Sequence, residues 1–402
     1  MRRRSFIAAS AGLAVIQGTD AIAANQPAPA GDLRGRTRAE LPTPALLVDL
    51  AAFEANVRTM ADHCKKAGCG FRPHAKTHKC PEIARRQINA GALGVCVATV
   101  PEAEGMVAAG VRGVLLTSPI LEPGKIARMV ALAQKGEVML SLGHARQAEL
   151  LNDAAGQARV TVDVLIDVDV GDRRTGILPG EPALELARLV ARSKHLRLRG
   201  IQAYAGHASH VVGFAQRDKV SREAMGRAVA TRELFAKAGL NVTILSGGST
   251  GTYNIDSTIR GVTELQVGSY VFMDVDYRRI GGRNEQAVYS DFRPSLTVLT
   301  TVVSATHVDR VTVDAGTKAL DTTVSWRAEA QGIPGLTYRA GGDEFGILTA
   351  EAGAKLPRLG DRLEFIVPHC DPTTNLYDRI YAMRGERVEA VWPLVARRES
   401  RS

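Results

Sequence analysis

The residues Arg72-Pro73-His74-Ala75-Lys76-Thr77-His78-Lys79 form the first pattern in this chain that could do chemistry. They follow a helical pattern and a glycine-rich turn, and Lys76 ends a short predicted strand. A lysine amine becomes a nucleophile toward carbonyl carbon when burial or neighbouring cations lower its pKa, and Arg72, Lys79 and two histidines crowd Lys76. The stretch therefore predicts either a lysine that carries an aldehyde cofactor or a solvated basic turn.

A second candidate cluster, Val367-Pro368-His369-Cys370-Asp371-Pro372, follows a predicted strand in the last tenth of the chain. On an extended backbone, residues two apart point the same way, so His369 and Asp371 can converge on one ion. An imidazole with a carboxylate suits manganese, magnesium, cobalt or zinc, with positions left open for water and substrate. The alternative is a turn with an aspartate cap before proline.

The elements that must position these residues alternate short apolar runs with helical patterns, which predicts βα units and a parallel sheet. Eight strands are predicted, at residues 70–76, 94–99, 113–117, 137–142, 161–168, 198–204, 242–246 and 263–267. The helices between them have apolar residues three or four apart. Eight such repeats over about 200 residues indicate an α/β fold, a (β/α)8 TIM-type barrel.

A barrel of this kind places catalytic groups at the carboxyl ends of its strands and phosphate after strands seven and eight. Lys76 ends the first strand, Arg174 follows the fifth, and Tyr204 ends the sixth with His207 and His210 just beyond. The glycine-rich segments Ser246-Gly247-Gly248-Ser249-Thr250-Gly251 and Gly268-Ser269-Tyr270 follow the seventh and eighth strands. Their backbone N–H groups could cradle an anion, so a phosphorylated ligand is implied.

After about residue 274 the pattern changes to alternating strands without a long helix. We therefore predict a barrel at residues 44–274 and a second, C-terminal β-rich domain at residues 275–402. Residues 44–50 precede the first barrel helix and are candidates for pairing with the second domain. Asp163, Asp167 and Asp169 alternate along one barrel strand and are interpreted as solvated or paired with arginines rather than as metal ligands.

The bulk composition is that of an ordinary soluble globular protein, with 45% apolar and 23% charged residues in 402. The net charge is +9, of which residues 1–24 contribute +2, and the remainder lies in no basic run with interleaved aromatics. Nucleic-acid binding is therefore not expected. Five cysteines without a CxxC pair indicate neither a zinc knuckle nor a disulfide framework.

Residues 1–24 have the pattern of a cleavable export signal. Arg3-Arg4-Ser5-Phe6-Ile7 has the twin-arginine pattern, a short apolar core follows, and Ala21-Ile22-Ala23 is a small-x-small cleavage site. The alternative is a basic, disordered N-terminus. We predict a twin-arginine signal peptide, a linker at residues 25–43, a periplasmic location and no membrane span after cleavage, since no mature segment is apolar enough.

Taken together, the motifs resemble the D-threonine aldolase and 3-hydroxy-D-aspartate aldolase family, within the alanine-racemase-like fold of pyridoxal-phosphate enzymes. The resemblance runs from about residue 44 to residue 392 and rests on motifs in the family's order. They are Pro73 to Lys79, Asp169-Val170-Gly171 with Arg174-Thr175-Gly176, Gln202-Ala203-Tyr204 with His210, Ser246 to Gly251, Tyr270 to Asp274, and His369-Cys370-Asp371-Pro372.

The resemblance implies roles for these residues. Lys76 would hold pyridoxal 5'-phosphate covalently, Arg174 and Tyr204 would contact its ring, and the phosphate would be bound by Gly248, Ser249, Thr250, Gly268 and Ser269. His369 and Asp371 would bind a divalent metal, with Mn2+ favoured over Mg2+, Co2+ or Zn2+. His210 would take the β-hydroxyl proton. In Ala205-Gly206-His207-Ala208-Ser209, however, the glutamine that family members often have before the second histidine is absent, which leaves His207 as the alternative base.

The function implied is metal-dependent cleavage of D-threonine or related D-β-hydroxy-α-amino acids to glycine and an aldehyde. The resemblance also implies a homodimer. One alternative is a D-serine or 3-hydroxy-D-aspartate dehydratase, although the family pattern gives dehydratases a His-x-Cys metal pair where this chain has Asp371. A racemase would need an acid–base tyrosine, for which Tyr338, Tyr377 and Tyr381 are candidates. A non-catalytic cofactor carrier would need only the barrel.

Overall fold

A computed structural model describes residues 33–136 and 138–396 of the chain. The predicted signal peptide and residues 25–32 of the predicted linker lie outside the described residues. The described strands are β1 (Ala45–Asp49), β2 (Gly70–Phe71), β3 (Val95–Val97), β4 (Val114–Leu116), β5 (Val138–Leu142), β6 (Val162–Asp167), β7 (Leu196–Ala203), β8 (Ile244–Gly247), β9 (Glu264–Leu265), β10 (Leu296–Ser304), β11 (Arg310–Val313), β12 (Glu329–Ala330), β13 (Leu336–Ala340), β14 (Gly346–Ala350), β15 (Arg362–Ile366), β16 (Arg379–Arg384) and β17 (Arg387–Pro393).

The described α-helices alternate with the first nine strands and become short afterwards. They are α1 (Leu50–Ala67), α2 (Pro81–Asn89), α3 (Val100–Ala108), α4 (Pro123–Ala133), α5 (Ala145–Gln157), α6 (Glu181–Arg192), α7 (Gly206–Ser209), α8 (Phe214–Lys237), α9 (Tyr253–Asp256), α10 (Val275–Arg278) and α11 (Cys370–Thr374). Among the residues that the structure describes, none of these helices has the length and apolar character needed to cross a membrane.

Strands β2 to β9 form the predicted barrel. They pair in parallel in the order β2-β9-β8-β7-β6-β5-β4-β3, and a parallel bridge between His74 and Cys96 joins the two ends. The strands β3, β4 and β5 are buried along their whole length. Parallel strands covered on both faces need uninterrupted apolar runs, which is why the sequence shows them so clearly. The (β/α)8 prediction is confirmed.

The second domain is a nine-stranded sheet that follows the barrel, as predicted. Strand β1 lies inside this sheet, antiparallel to β10 and parallel to β16, although it precedes the barrel in the chain. The pairing proposed for residues 44–50 is therefore what the structure shows, and the barrel begins at α1. Helix α1 starts where the Asp49 side chain accepts a hydrogen bond from the Ala52 N–H, and it ends at Gly68 with φ +63°.

A buried ion pair lies inside the barrel. Arg72 Nε and Nη2 donate to the two carboxylate oxygens of Glu264 at 3.0 and 3.1 Å, and Arg72 Nη1 donates to the carbonyls of Leu93 and Gly113. Both charged side chains are at most 6% exposed. The pair links β2 to β9 and to the ends of the next two strands, so its loss should affect the whole barrel.

Replacing Glu264 with glutamine should lower the free energy of unfolding by about 3–5 kcal/mol, because the guanidinium of Arg72 would stay buried without a compensating charge. Denaturant titration followed by circular dichroism would measure the change. The matched control is Glu389→Gln, which breaks the exposed Arg384–Glu389 pair and should cost at most about 1 kcal/mol. Equal losses in the two variants would contradict this account.

Candidate active site

Lys76 lies in a single 3-10 turn, Ala75–Thr77, at the carboxyl end of β2, where His74 caps the turn. Its Nζ lies 2.5 Å from Asp371 Oδ2, which belongs to the second domain. The carboxylate of Asp371 raises the pKa of Lys76 despite its burial. The predicted lowering of this pKa is wrong for the chain without ligands, since Arg72 and Lys79 are neutralised by buried glutamates.

A cleft of about 340 Å³ opens beside Lys76 at the carboxyl ends of the barrel strands. Arg174 and Tyr204 both line it, and the Arg174 guanidinium lies 5.3 Å from the centroid of the Tyr204 ring. An aromatic ring and a guanidinium at this spacing could bind a flat, charged ring. The structure thus brings together the two residues expected to contact the pyridoxal ring.

The floor of the cleft contains Asp167, which is 6% exposed. Gln202 Nε2 donates to Asp167 Oδ1 at 2.9 Å, whereas Asp167 Oδ2 has no hydrogen-bond partner among the described residues. Burial raises the pKa of Asp167. The interpretation of this residue as solvated or paired with an arginine is therefore wrong, while Asp163 does bind Arg197 and Arg199, as predicted.

The glycine-rich loop after β8 and the turn after β9 lie next to each other. Gly248 has φ +74°, and a side chain there would come within 2.8 Å of Asp256. A side chain on Gly268 would come within 2.7 Å of the Thr77 hydroxyl, beside Lys76. The Thr250 hydroxyl accepts a hydrogen bond from the Tyr270 N–H at 2.9 Å and so ties the two segments together. Only glycine fits at both positions, which leaves backbone free to approach an anion.

The remaining predicted phosphate ligands, Ser249 and Ser269, are also in these segments and are 3% and 5% exposed. All five predicted phosphate-binding residues therefore lie at the ends of β8 and β9, on the same side of the barrel as Lys76. This arrangement fits a phosphorylated cofactor whose aldehyde reaches the lysine.

The two candidate base histidines occupy different surroundings. His210 Nδ1 lies 3.0 Å from Asp276 Oδ2, and its ring packs on Tyr277 and lies 6.5 Å from the His369 ring, centroid to centroid. His207 Nδ1 lies 3.7 Å from Asp172, which lines the cleft. The structure therefore groups His210, and not His207, with the predicted metal pair.

His369 precedes α11 and its Nδ1 lies 2.9 Å from Asp274 Oδ2, which also accepts the Cys370 N–H. Burial works against protonation, but the contact with Asp274 raises the pKa of His369 to about 9. Asp274 is fully buried and leaves His369 Nε2 as the nitrogen available to a ligand. Histidines that bind metals usually donate their other ring nitrogen to a carboxylate in this way, which fixes the orientation of the ring.

Asp371 has its Oδ1 buried without a hydrogen-bond partner among the described residues. Its burial alone would raise its pKa, yet the charges of Lys76 and His369 hold that pKa well below the usual range. No group of three or more His, Cys, Asp or Glu residues with metal-binding geometry occurs in the described ranges. The donor set of one imidazole and one carboxylate fits a divalent ion whose other positions go to water and substrate.

The second domain also settles the surroundings of two of the three candidate tyrosines. The Tyr338 and Tyr377 hydroxyls donate to the carbonyls of Ala315 and Ala319, each at 2.8 Å. Both hydroxyls thus donate hydrogen bonds to backbone carbonyls of their own domain. Asp274 and Asp276 are partners of the histidines that the sequence did not predict, although Asp274 ends the motif Tyr270 to Asp274.

Comparison with known proteins agrees with this geometry. Residues 48–276 match the family model "Alanine racemase, N-terminal domain", and residues 295–383 match "Putative serine dehydratase domain". The chain is 39% identical to D-threonine aldolase of Arthrobacter sp over 381 residues, which cover 94% of this chain and 98% of that one. It is 33% identical to 3-hydroxy-D-aspartate aldolase of Paracoccus denitrificans, covering 91% and 94%.

A similar solved structure is that of D-threonine aldolase from Filomicrobium marinum, with a TM-score of 0.86 and 37% sequence identity, covering 90% of this chain and 97% of that one. The family implies pyridoxal phosphate as cofactor, in agreement with the cleft and the glycine segments around Lys76. The chain therefore belongs to the D-threonine aldolase and 3-hydroxy-D-aspartate aldolase family, on the alanine-racemase-like fold, and is an enzyme of the aldehyde-lyase type.

Proposed function

We propose that this enzyme cleaves D-threonine or a related D-β-hydroxy-α-amino acid to glycine and an aldehyde, using pyridoxal phosphate and a divalent metal. The observation that carries the proposal is the 2.5 Å contact between Lys76 of the barrel and Asp371 of the second domain. It puts the amine that would hold the cofactor beside the residue that would hold the metal. A non-catalytic carrier would need no second domain at this point.

The cofactor site proposed here uses Lys76 for the aldehyde, Arg174 and Tyr204 for the ring, and Gly248, Ser249, Thr250, Gly268 and Ser269 for the phosphate. When bound, the conjugated ring of pyridoxal phosphate delocalises the electron pair left on the α-carbon as the bond to the β-carbon breaks. Arg174 and Tyr204 fix the plane of the ring. Lys76 must first give up the proton that Asp371 stabilises, so a second cation at Asp371 would favour loading.

His210 is proposed as the base that takes the proton of the β-hydroxyl group. His210 Nδ1 lies 3.0 Å from Asp276 Oδ2, although without hydrogen-bond geometry, and the carboxylate charge would draw the Nδ1 side of the ring toward it and leave Nε2 as the acceptor. The second carboxylate–histidine pair, Asp274 with His369, is hydrogen-bonded and orients the proposed metal ligand. Each histidine thus has its own aspartate beside it, and the two rings lie 6.5 Å apart, centroid to centroid.

His369 and Asp371 are proposed to bind the metal, Mn2+ in the first place, with Mg2+, Co2+ and Zn2+ as alternatives. The metal supplies a Lewis acid that lowers the pKa of the substrate hydroxyl. A chelator should therefore lower the cleavage rate by about tenfold to hundredfold, and added manganese should restore it. Acetaldehyde release from D-threonine measures this, and chelator-insensitive cleavage would remove the metal from the proposal.

The main rival is a dehydratase, a reaction suggested by the family model that matches the second domain. Asp371, where the dehydratase pattern has cysteine, favours the aldolase. Incubation with D-threonine separates the two, because cleavage yields acetaldehyde and glycine whereas elimination yields 2-oxobutanoate and ammonia. Detection of 2-oxobutanoate as the main product would overturn the proposal. A racemase would need a tyrosine hydroxyl as an acid–base group, but the hydroxyls of Tyr338 and Tyr377 donate to backbone carbonyls of the second domain.

Two further parts of the proposal concern the enzyme in the cell. We propose that it is exported to the periplasm through a twin-arginine signal in residues 1–24 and that it acts as a homodimer. Replacing Arg3 and Arg4 together with lysine should retain the protein in the cytoplasmic fraction. Light scattering during gel filtration should give twice the mass of the mature chain, and a monomeric mass at working concentration would contradict the dimer.

A further inference from the structure

A buried carboxylate lies directly behind the proposed phosphate site. Asp256, the last residue of α9, is 1% exposed, and its Oδ2 would lie within 2.8 Å of a side chain on Gly248. It accepts hydrogen bonds at 2.5 Å from the hydroxyls of Thr252 and Ser221. None of the proposed catalytic steps uses this residue. A carboxylate is an unexpected neighbour for a phosphate, because both groups are anions.

The hydrogen bonds around Thr252 fix where its neighbours can send their protons. Thr252 Oγ1 accepts from the Ser249 N–H at 3.1 Å, donates to Asp256 Oδ2, and lies 3.0 Å from Ser249 Oγ. A hydroxyl has one proton. While Asp256 is ionised, that proton goes to its carboxylate, so the 3.0 Å contact is a hydrogen bond only when the Ser249 hydroxyl donates to Thr252, which turns its proton away from the phosphate site.

Protonation of Asp256 reverses this chain of hydrogen bonds. A neutral carboxyl group can donate to Thr252, Thr252 can then donate to Ser249, and the Ser249 proton is free to point at the phosphate. We infer that Asp256, Thr252 and Ser249 form a relay through which the enzyme takes up a proton when it binds the cofactor's phosphate group. Asp256 is thus a positioning residue, and the inference rests on the phosphate assignment in the proposed function.

The electrostatics of the relay place its titration near neutral pH. Burial raises the pKa of Asp256 to about 6, with the hydrogen bonds from Ser221 and Thr252 acting in the opposite direction. A phosphate nearby would add a like charge and favour the neutral carboxyl further. The other charged or titratable groups around Asp256 are Arg222 and Asp218 on α8, Cys69 before β2, and His63 on α1, which contacts Ser257.

The sign of the effect follows from linkage. Below the pKa of Asp256 the carboxyl is neutral and Ser249 already donates to the phosphate, so binding is tight. Above it, the site must take up a proton to reach the same arrangement, and binding weakens. An asparagine at position 256 is neutral at every pH and can donate to Thr252 through Nδ2. Asp256→Asn should therefore hold the site in its tight-binding arrangement.

The test compares wild-type apoenzyme with Asp256→Asn in binding pyridoxine 5'-phosphate, which lacks the aldehyde and forms no bond to Lys76. Calorimetry at about pH 5 and about pH 8 brackets the pKa. The ratio of the wild-type Kd to the variant Kd should be near one at the lower pH and about tenfold at the higher pH. Ionisation of the ligand's phosphate affects both proteins equally and cancels in the ratio. A ratio that does not change with pH would overturn the relay.

Three further variants keep the test decisive. In a Ser249→Ala background, Asp256→Asn should change the Kd little at either pH; a persistent effect would mean that charge alone acts, which overturns the relay. Thr252→Val removes the oxygen that links Asp256 to Ser249, so in this background too Asp256→Asn should change the Kd little at either pH, and a persistent effect would overturn the relay. Glu223→Gln, which removes an exposed charge elsewhere on α8, should leave the wild-type pH dependence unchanged.

Failure of the proposed function would look different. If the wild-type apoenzyme binds neither pyridoxine 5'-phosphate nor pyridoxal phosphate at either pH, the phosphate assignment falls and the relay falls with it. If the wild type binds both ligands, and the ratio of the wild-type Kd to the Asp256→Asn Kd for pyridoxine 5'-phosphate is the same at both pH values, the phosphate site stands and only the relay is lost.

Discussion

Replacing Lys76 with alanine should lower the rate of D-threonine cleavage by at least about 10³-fold. The amine at this position is the proposed attachment point of the cofactor, and its loss leaves the aldehyde without a covalent anchor in the cleft. The expected change is measured as acetaldehyde released by purified protein at saturating pyridoxal phosphate. Borohydride treatment of the wild type, followed by peptide mapping, should place a pyridoxyl group on Lys76.

Removal of the lysine also strips Asp371 of its partner, so a second variant is needed to separate chemistry from folding. Lys76→Arg keeps a cation that can pair with Asp371, but a guanidinium cannot readily form the carbon–nitrogen double bond. It should therefore fold like the wild type and be as inactive as the alanine variant. Lys65→Ala, which changes an exposed lysine in the last turn of α1, is the control and should leave both the labelling of Lys76 and the cleavage activity unchanged. Turnover by Lys76→Ala at the wild-type rate would end the assignment.

Much of the barrel could be predicted because its strands are short, fully buried and separated by helices with a clear apolar face. The predicted segment 137–142, for example, contains β5, in which every residue is buried and all but Ser141 are apolar. The strands predicted for the second domain, at residues 295–306, 310–314, 362–367, 379–383 and 388–394, do not include β12, β13 or β14, which are only partly buried. A half-exposed strand in a region rich in glycine has a weak signal.

The electrostatics of the site could not be predicted, because they depend on partners far apart in the chain. The pKa of Lys76 is raised by a carboxylate 295 positions away. Likewise, Asp274 contacts His369 across 95 positions. Neighbours in sequence gave the opposite expectation for Lys76, since the adjacent cations are neutralised by Glu102 and Glu264. Motif spacing located the residues, and only the fold determined their charge.

Replacing His210 with asparagine should lower the cleavage rate by about 10²- to 10⁴-fold, the usual contribution of a general base. The reason is geometric: the Nδ1 side of His210 lies 3.0 Å from Asp276 and its ring lies 6.5 Å from the His369 ring, which puts His210 near the place where the substrate hydroxyl would bind the metal. Asparagine keeps a polar side chain of similar reach but cannot accept the proton. The measurement is kcat for D-threonine with metal and cofactor saturating.

His207→Asn is the matched control, because it makes the same chemical change three positions earlier, at a histidine that lies beside Asp172 instead of Asp276. Its imidazole contacts Asp172 at 3.7 Å and is not grouped with the metal pair, so its loss should change kcat by less than about threefold. The reverse result, a large loss for His207 and a small one for His210, would move the base to His207. Equal large losses would mean that the cleft needs both rings for its shape, and neither histidine could then be named as the base.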